Sequence, residues 1–404
     1  MKIIVCTSFF PTREHPDVPK FVQDQVSAIR KARPGLDITV LCPAFGENNT
    51  PIAHEYPVEF FNYFWPRHSQ KLAGSGMMPA LKANHLLWVQ VPFLFVCQFF
   101  ALLKLTRKQR PDYIYAHWFT PQGINAGLVG KITKTPFVFT SHSSDVMVWK
   151  AVPFLGKRIV GYFVRSASAV SVVSSRSLAK VQHFFSKSEW LEVNDKVHII
   201  PMGVSIQNKR HAKKKAKKIT NILFIGRLVE KKGVSFLIEA FSIVSSRLGE
   251  NLTLTIAGDG ELKSSLEEMV ARLDLSNNVR FVGFVSGKEK ENLLETADIL
   301  VVPSIITASG DAEGLPVSLL EGLAAGKLCI ATDESGADDI IADGGNGFMV
   351  KGGDTPALAK SLEKVIALDD KERQNVQSNA LKLSKNFSWE VIANKHLDLL
   401  FPDV

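Results

Sequence analysis

The sequence predicts an α/β fold with two doubly wound parallel sheets in series. Three observations predict it. Short β-branched runs alternate with helical periodicities along the first half. The same alternation restarts at Asn221. Between the halves lies Asn208–Lys218, polar and strongly basic, which reads as a solvated linker or, more sharply, as a membrane-surface anchor.

Ile3–Cys6 reads as the first strand. Met1–Phe10 has one Lys, a short apolar stretch and no small-residue cleavage site, so a buried strand is expected rather than a signal peptide. Phe21–Arg30 places Phe21, Val22, Val26 and Ile29 at helical spacing. Ile38–Cys42 is the next strand. Leu86–Leu105 approaches the ~20 residues of a membrane span. Gln90, Pro92, Gln98 and Lys104 interrupt it, and a βαβ unit needs a helix here. A buried crossover helix is expected; the alternatives are a span, or a helix lying on a bilayer with Trp88, Phe93, Phe99 and Phe100 exposed. Pro111–His117, Phe137–Thr140, Ala169–Val173 and His198–Ile200 are further strands.

In the second half, strand Asn221–Ile225 leads through the turn Gly226–Gly233 to the helix Val234–Leu248. Strand Leu252–Ala257 ends in Gly258-Asp-Gly260. Helix Glu261–Leu273, strand Val279–Val282, helix Lys288–Thr296, strand Ile299–Val302, helix Val317–Ala325 and strand Leu328–Ala331 follow.

The chain has 404 residues, 46% hydrophobic and 22% charged, enough for two full cores. Cys6, Cys42, Cys97 and Cys329 are far apart, which fits free thiols in a reducing compartment and neither a disulfide framework nor a metal site. Residues 1–205 hold 23 Lys and Arg against 12 Asp and Glu, net +11; the rest hold 25 against 28, net −3. The basic half suits an anionic partner such as a membrane surface or a lipid-linked phosphate. No nucleic-acid-binding module is legible, so nucleic acid is not expected.

The segment Glu313-Gly-Leu-Pro-Val-Ser-Leu-Leu-Glu321 is the most informative. It reads as a loop feeding a helix N-terminus, where free N–H groups suit a phosphate. Glu321 would sit about two turns into that helix. Paired carboxylates accept from the hydroxyls of a sugar or ribose; the plainer reading is a surface loop and a solvated helix Glu. In Gly226–Gly233, Arg227 and Lys232 straddle a strand-to-helix turn suited to a diphosphate; a solvated basic turn is the alternative. Gly258 and Gly260 would let backbone approach a base or ribose, or simply form a tight turn. His142, in Thr140–Asp145 at a strand end, could donate to a sugar hydroxyl or cap a loop. His117 ends another strand and is a weaker candidate. No Asp-x-Asp follows a strand and no His/Cys cluster has ligand spacing, so no protein-bound metal is implied.

Together these pieces resemble family 4 of the glycosyltransferases, which are retaining enzymes of the GT-B fold: two Rossmann-like doubly wound domains facing a cleft. The resemblance rests on Gly226-Arg227, Lys232-Gly233, Gly258-Asp-Gly260, Phe281-Val-Gly-Phe284, Ala297-Asp298, Pro303-Ser304, Glu313-Gly-Leu-Pro through Glu321, Ala325-Gly326 and Asn346-Gly347. Arg110-Pro-Asp112, His117-Trp118, Pro121-Gln-Gly123 and His142–Asp145 match less strictly. Phe10-Pro11 and Phe21–Gln25 resemble bacterial members that build exopolysaccharide or teichuronic-type chains.

The resemblance implies a nucleotide diphosphate sugar, UDP- or GDP-linked, as donor substrate, with no cofactor and no metal. Arg227 and Lys232 would hold the diphosphate, beside Gly226. Glu321 would bind the ribose, and Glu313 the sugar hydroxyls. The N–H groups of Gly314 and Leu315 would line the sugar and phosphate site. Gly258, Gly260 and Phe284 would border the base, and His142 would reach the sugar. Catalytic roles fall to Glu313, His142, Arg227 and Lys232; His117, Asp145 and Lys20 fall on the acceptor side. The mechanism would be front-face substitution, the leaving phosphate helping to deprotonate the acceptor hydroxyl. The implied domains are 1–205 for the acceptor and 206–385 for the donor, with 386–404 returning as a helix to the first.

The chain departs from the family pattern in three places. Pro11–Pro19 replaces a Gly-Gly loop after the first strand. Lys327-Leu-Cys replaces Pro-Val-Val, and Ser335-Gly336 replaces Gly-Gly. The expectation is a transferase acting on a saccharide or lipid-linked saccharide in cell-surface polysaccharide synthesis. It would work in the cytoplasm, peripheral at the inner face of the plasma membrane. The competing readings are a sugar-nucleotide epimerase of the same fold, and a non-catalytic sugar-nucleotide-binding partner.

Overall fold

The computed structural model describes residues 1–402 except 17, 53, 75–76, 207–218 and 250, and leaves out the side chains at 79 and 82. The basic run 208–218 therefore lies outside the described residues. The chain forms two compact units, 1–202 with 392–404, and 203–391.

The first unit is a seven-stranded parallel sheet of β1 (Lys2–Cys6), β2 (Asp37–Pro43), β3 (Val58–Phe61), β4 (Tyr113–His117), β5 (Phe137–Ser141), β6 (Ala169–Val172) and β7 (Val197–Ile199). Their order is β3-β2-β1-β4-β5-β6-β7. In β1, Ile4 faces Thr39 of β2 and Ile114 of β4. The inner strands are buried on both faces, which is why they read as largely apolar runs. The strand order reverses between β1 and β4.

The second unit is a six-stranded parallel sheet: β8 (Asn221–Ile225), β9 (Thr253–Ala257), β10 (Val279–Gly283), β11 (Ile299–Val302), β12 (Leu328–Thr332) and β13 (Phe348–Val350). The order is β10-β9-β8-β11-β12-β13, so the reversal falls between β8 and β11. Ligands of open α/β sheets bind beyond the carboxyl ends of the strands at such a reversal.

The units divide at 202/203 and 391/392, not at the 205/206 and 385/386 the sequence led us to expect. Val204 pairs with Ser388, and its N–H donates to Phe387 O at 2.8 Å. A Cβ on Gly203 would stand 2.2 Å from Trp389. Both chain segments thus stay in the second unit until the helix Trp389–Leu400 is under way. Its Ala393, Leu397 and Leu400 are buried with Ile3, Val26, Ile38 and Val40.

Other differences have local causes. β3 and β13 are edge strands of four and three residues, too short for a clear period. Segment 86–105 is a 3₁₀ turn, His85–Val89, followed by the helix Gln90–Gln109. It is not wholly buried: Leu94, Leu102 and Leu105 face the core, whereas Trp88, Phe93 and Phe100 are exposed. Phe99, expected among the exposed aromatics, is half-buried against the core.

Candidate functional site

The turn after β8 and the loop after β11 meet at the reversal point of the second sheet. Ile305 N–H donates to Lys231 O at 2.9 Å, joining the two. The 303–316 loop is fixed from its other side as well. Thr332 Oγ1 at the end of β12 donates to Ser304 O, and Ile306 N–H donates to Glu334 Oε2 at 2.6 Å. Within it, Thr307 and Asp311 close a turn through backbone and hydroxyl bonds.

That framework carries a compact charge cluster. Glu313 Oε1 lies 3.3 Å from Lys232 Nζ and 3.7 Å from Lys231 Nζ. Lys231 also bonds Asp311 at 3.2 Å. The side chains of both lysines and of Glu313 are only 13–15% exposed. Burial raises the carboxyl pKa of Glu313, but the fields of Lys232, Lys231 and the exposed Arg227 outweigh it, so the group is held below its ordinary value and ionised. Lys232 packs over Gly226, where a Cβ would stand 3.5 Å from Lys232 Cε.

The helix Val317–Ala324 follows, with Pro316 before it. Gly314 and Leu315 lie just ahead of its orphan N–H groups. Glu321 is one turn in, not two, because the helix starts at Val317. Its carboxylate bonds Lys290 Nζ at 2.5 Å, from the helix Gly287–Thr296 after β10.

Gly258 and Gly260 answer to backbone crowding. A Cβ on Gly258 would stand 1.8 Å from Gly226 O, and one on Gly260 2.4 Å from Leu228 O. They let the turn after β9 pack against the turn that carries Arg227 and Lys232, joined by Leu228 N–H to Asp259 O at 2.9 Å. Phe284, after β10, is 52% exposed.

The remaining predicted residues belong to the first unit, around β4 and β5. His142 Nε2 is 3.3 Å from His117 Nδ1, and the His142 ring packs at 4.7 Å from Trp118 and 5.3 Å from Phe21. Burial among these rings pushes the His142 imidazole down to about 3, and desolvation, with the fields of His142 and His396, also holds His117 well below its ordinary value. Both are neutral at physiological pH. His117 Nε2 is buried with no hydrogen-bond partner. Tyr115 lies beside His117 and bonds Gln25 Nε2 and Thr140 Oγ1 at 2.7 Å and His396 Nδ1 at 3.3 Å.

Asp145 accepts from Phe119 N–H at 2.6 Å and Ser141 Oγ at 2.9 Å, so both its oxygens hold the loops that carry His117 and His142. Burial raises its pKa. Lys20 immediately precedes the helix Phe21–Ala32. The structure therefore brings Gly226, Arg227, Lys232, Glu313 and Gly314 to one place, and His117, His142 and Asp145 to another.

Sequence reasoning missed Lys231, Asp311, Lys290, Tyr115 and His396. Lys231 stands beside Lys232 and was readable from the turn. Lys290 and His396 reach their partners from helices whose local pattern carries no such signal.

Two family models match the chain. Residues 28–208 match the model of Glycosyltransferase Family 4, and 205–383 that of Glycosyl transferases group 1. TuaC of Bacillus subtilis (strain 168), a glycosyltransferase named for teichuronic acid biosynthesis, is 28% identical over 90% of this chain and 89% of its own. A Campylobacter jejuni α-1,4-N-acetyl-D-galactosaminyltransferase, named for an undecaprenol-diphosphate-linked saccharide, is 28% identical over 75% of this chain and 78% of its own. In fold the chain is similar to Anabaena Alr3699/HepE, solved in complex with UDP, with a TM-score of 0.71 at 19% identity over the whole of both chains.

Proposed function

We propose that this chain, a glycosyltransferase of the GT-B fold matched by the Family 4 model in its first half and the group 1 model in its second, moves a sugar with retention from a nucleoside diphosphate to a saccharide or lipid-linked saccharide. The product would extend a cell-surface polysaccharide at an anionic membrane face. The cluster of Lys231, Lys232 and Glu313 carries this reading.

The chemistry follows from the charges. Two part-buried ammonium groups, with Arg227 beside them, would neutralise the diphosphate as its bond to the anomeric carbon breaks, without calling on a metal. A phosphate oxygen freed on the acceptor's side would take the acceptor proton. Glu313, ionised, accepts from sugar hydroxyls; Glu321 offers a carboxylate to the ribose in exchange for part of its bond to Lys290. We assign His142 a role toward a sugar hydroxyl. A neutral imidazole can donate or accept one hydrogen bond without adding charge.

A nuclear magnetic resonance assay of donor plus saccharide acceptor tests the reading. The anomeric coupling of the product should match that of the donor. Inversion would remove the mechanism, and an altered sugar nucleotide formed without acceptor would favour the epimerase.

A further inference from the structure

We propose that the helix Gln90–Gln109 docks the first unit flat on an anionic bilayer. This deepens the transfer reading and rests on it only in that a lipid-linked acceptor would lie at such a surface.

The helix is built inside out. Gln90, Gln98 and Thr106 are on its buried face with Leu94, Leu102 and Leu105. Gln90 Nε2 donates to Ser69 O at 2.7 Å, and Gln98 Oε1 accepts from Asn125 Nδ2 at 2.9 Å. The outward face of the helix and of the 3₁₀ turn before it carries Leu86, Val89, Phe93, Val96 and Phe100, which are 80, 61, 51, 53 and 61% exposed. Steps of three and four residues place them in one stripe about 20 Å long. Trp65, 82% exposed, lies next to it, since the ring of its neighbour Phe64 meets Phe93 at 5.5 Å. A helix that turns amides inward and phenyl rings outward meets an apolar medium on its outer side.

Charge selects the occupant. The stripe's next two steps are Lys104 and Arg107, both exposed. Residues 60–111 contain seven Lys and Arg and no Asp or Glu. An apolar stripe ending in cations, on a segment without acids, fits anionic lipid headgroups over an acyl boundary. By length and composition His85–Gln109, the turn and helix together, could cross a membrane, but its other face is packed into the core, so it would lie on the surface.

The test is flotation of the full chain with phosphatidylglycerol-containing vesicles and with pure phosphatidylcholine vesicles, alongside the Phe93→Glu/Phe100→Glu variant. Melting temperature and nucleotide binding serve as controls. We expect binding to the anionic vesicles that high salt weakens, and a loss of about tenfold or more in the variant at unchanged nucleotide affinity. Absence of binding to the anionic vesicles, or equal binding by the variant, overturns the proposal. So does a dimer that the variant dissolves while vesicles are ignored, since a second copy then covers the face. If that variant fails to fold, Lys104→Glu/Arg107→Glu must show the same loss, or the proposal falls. Vesicle binding without any nucleotide binding would leave the docking face standing and end the transfer reading.

Discussion

Lys232 Nζ lies 3.3 Å from Glu313 Oε1, joining the turn after β8 to the loop after β11. The pair, with Lys231 at 3.7 Å, places one anion among cations that a diphosphate would also seek. Removing the anion should therefore separate binding from chemistry. In Glu313→Gln we predict nucleoside diphosphate affinity equal to or tighter than in the parent. Transfer should fall about 10²-fold, the scale of losing a hydrogen-bonded charge at the reacting sugar. Calorimetry and steady-state rates on one preparation check both halves.

Glu321 makes a different separation. It bonds Lys290, on the helix after β10, at 2.5 Å. We predict that Glu321→Ala weakens a nucleoside diphosphate by about tenfold, one charge-assisted bond of about 1.5 kcal/mol, while inorganic pyrophosphate binds as before. Competition titration with the two ligands measures it.

Gly336 has φ +81, and a Cβ there would stand 2.0 Å from Gly314 O. Gly336→Ala should push the 312–315 segment away from Lys232. We predict a loss of stability of about 1–3 kcal/mol and a fall in transfer larger than that of a variant equally destabilised in the first unit. Urea denaturation and rate measurements on both variants distinguish the two effects.

His396 is 1% exposed and its imidazole is pushed down to about 3, by burial first and His142 second. The unfolded chain takes up that proton near the ordinary value of 6.5, so stability is fully present above it and is lost as pH falls toward 3. His142 behaves alike. We predict that the folded first unit loses at most about 1.4 kcal/mol per pH unit per histidine below that point. Melting temperatures across that range, with His396→Gln as the flatter control, test the slope.

The parallel sheets were legible because strands buried on both faces leave unbroken apolar runs, as in Ile3–Cys6 and Ile299–Val302. Glu313 and Lys232 were legible because each follows such a strand. Lys290 was not, since a solvated helix Lys looks the same whether or not it reaches a Glu. The helix Gln90–Gln109 shows the other limit. Its hydropathy could not tell which face turns inward, and the answer depends on where Asn125 and Ser69 stand.

The most direct measurement is calorimetric titration of UDP and GDP into the intact chain and into Lys232→Ala. We predict micromolar-scale binding of at least one diphosphate, weakened about 10–100-fold by the substitution, the worth of one buried charge-assisted contact. Binding that ignores the substitution, or no binding of either nucleotide, would contradict it.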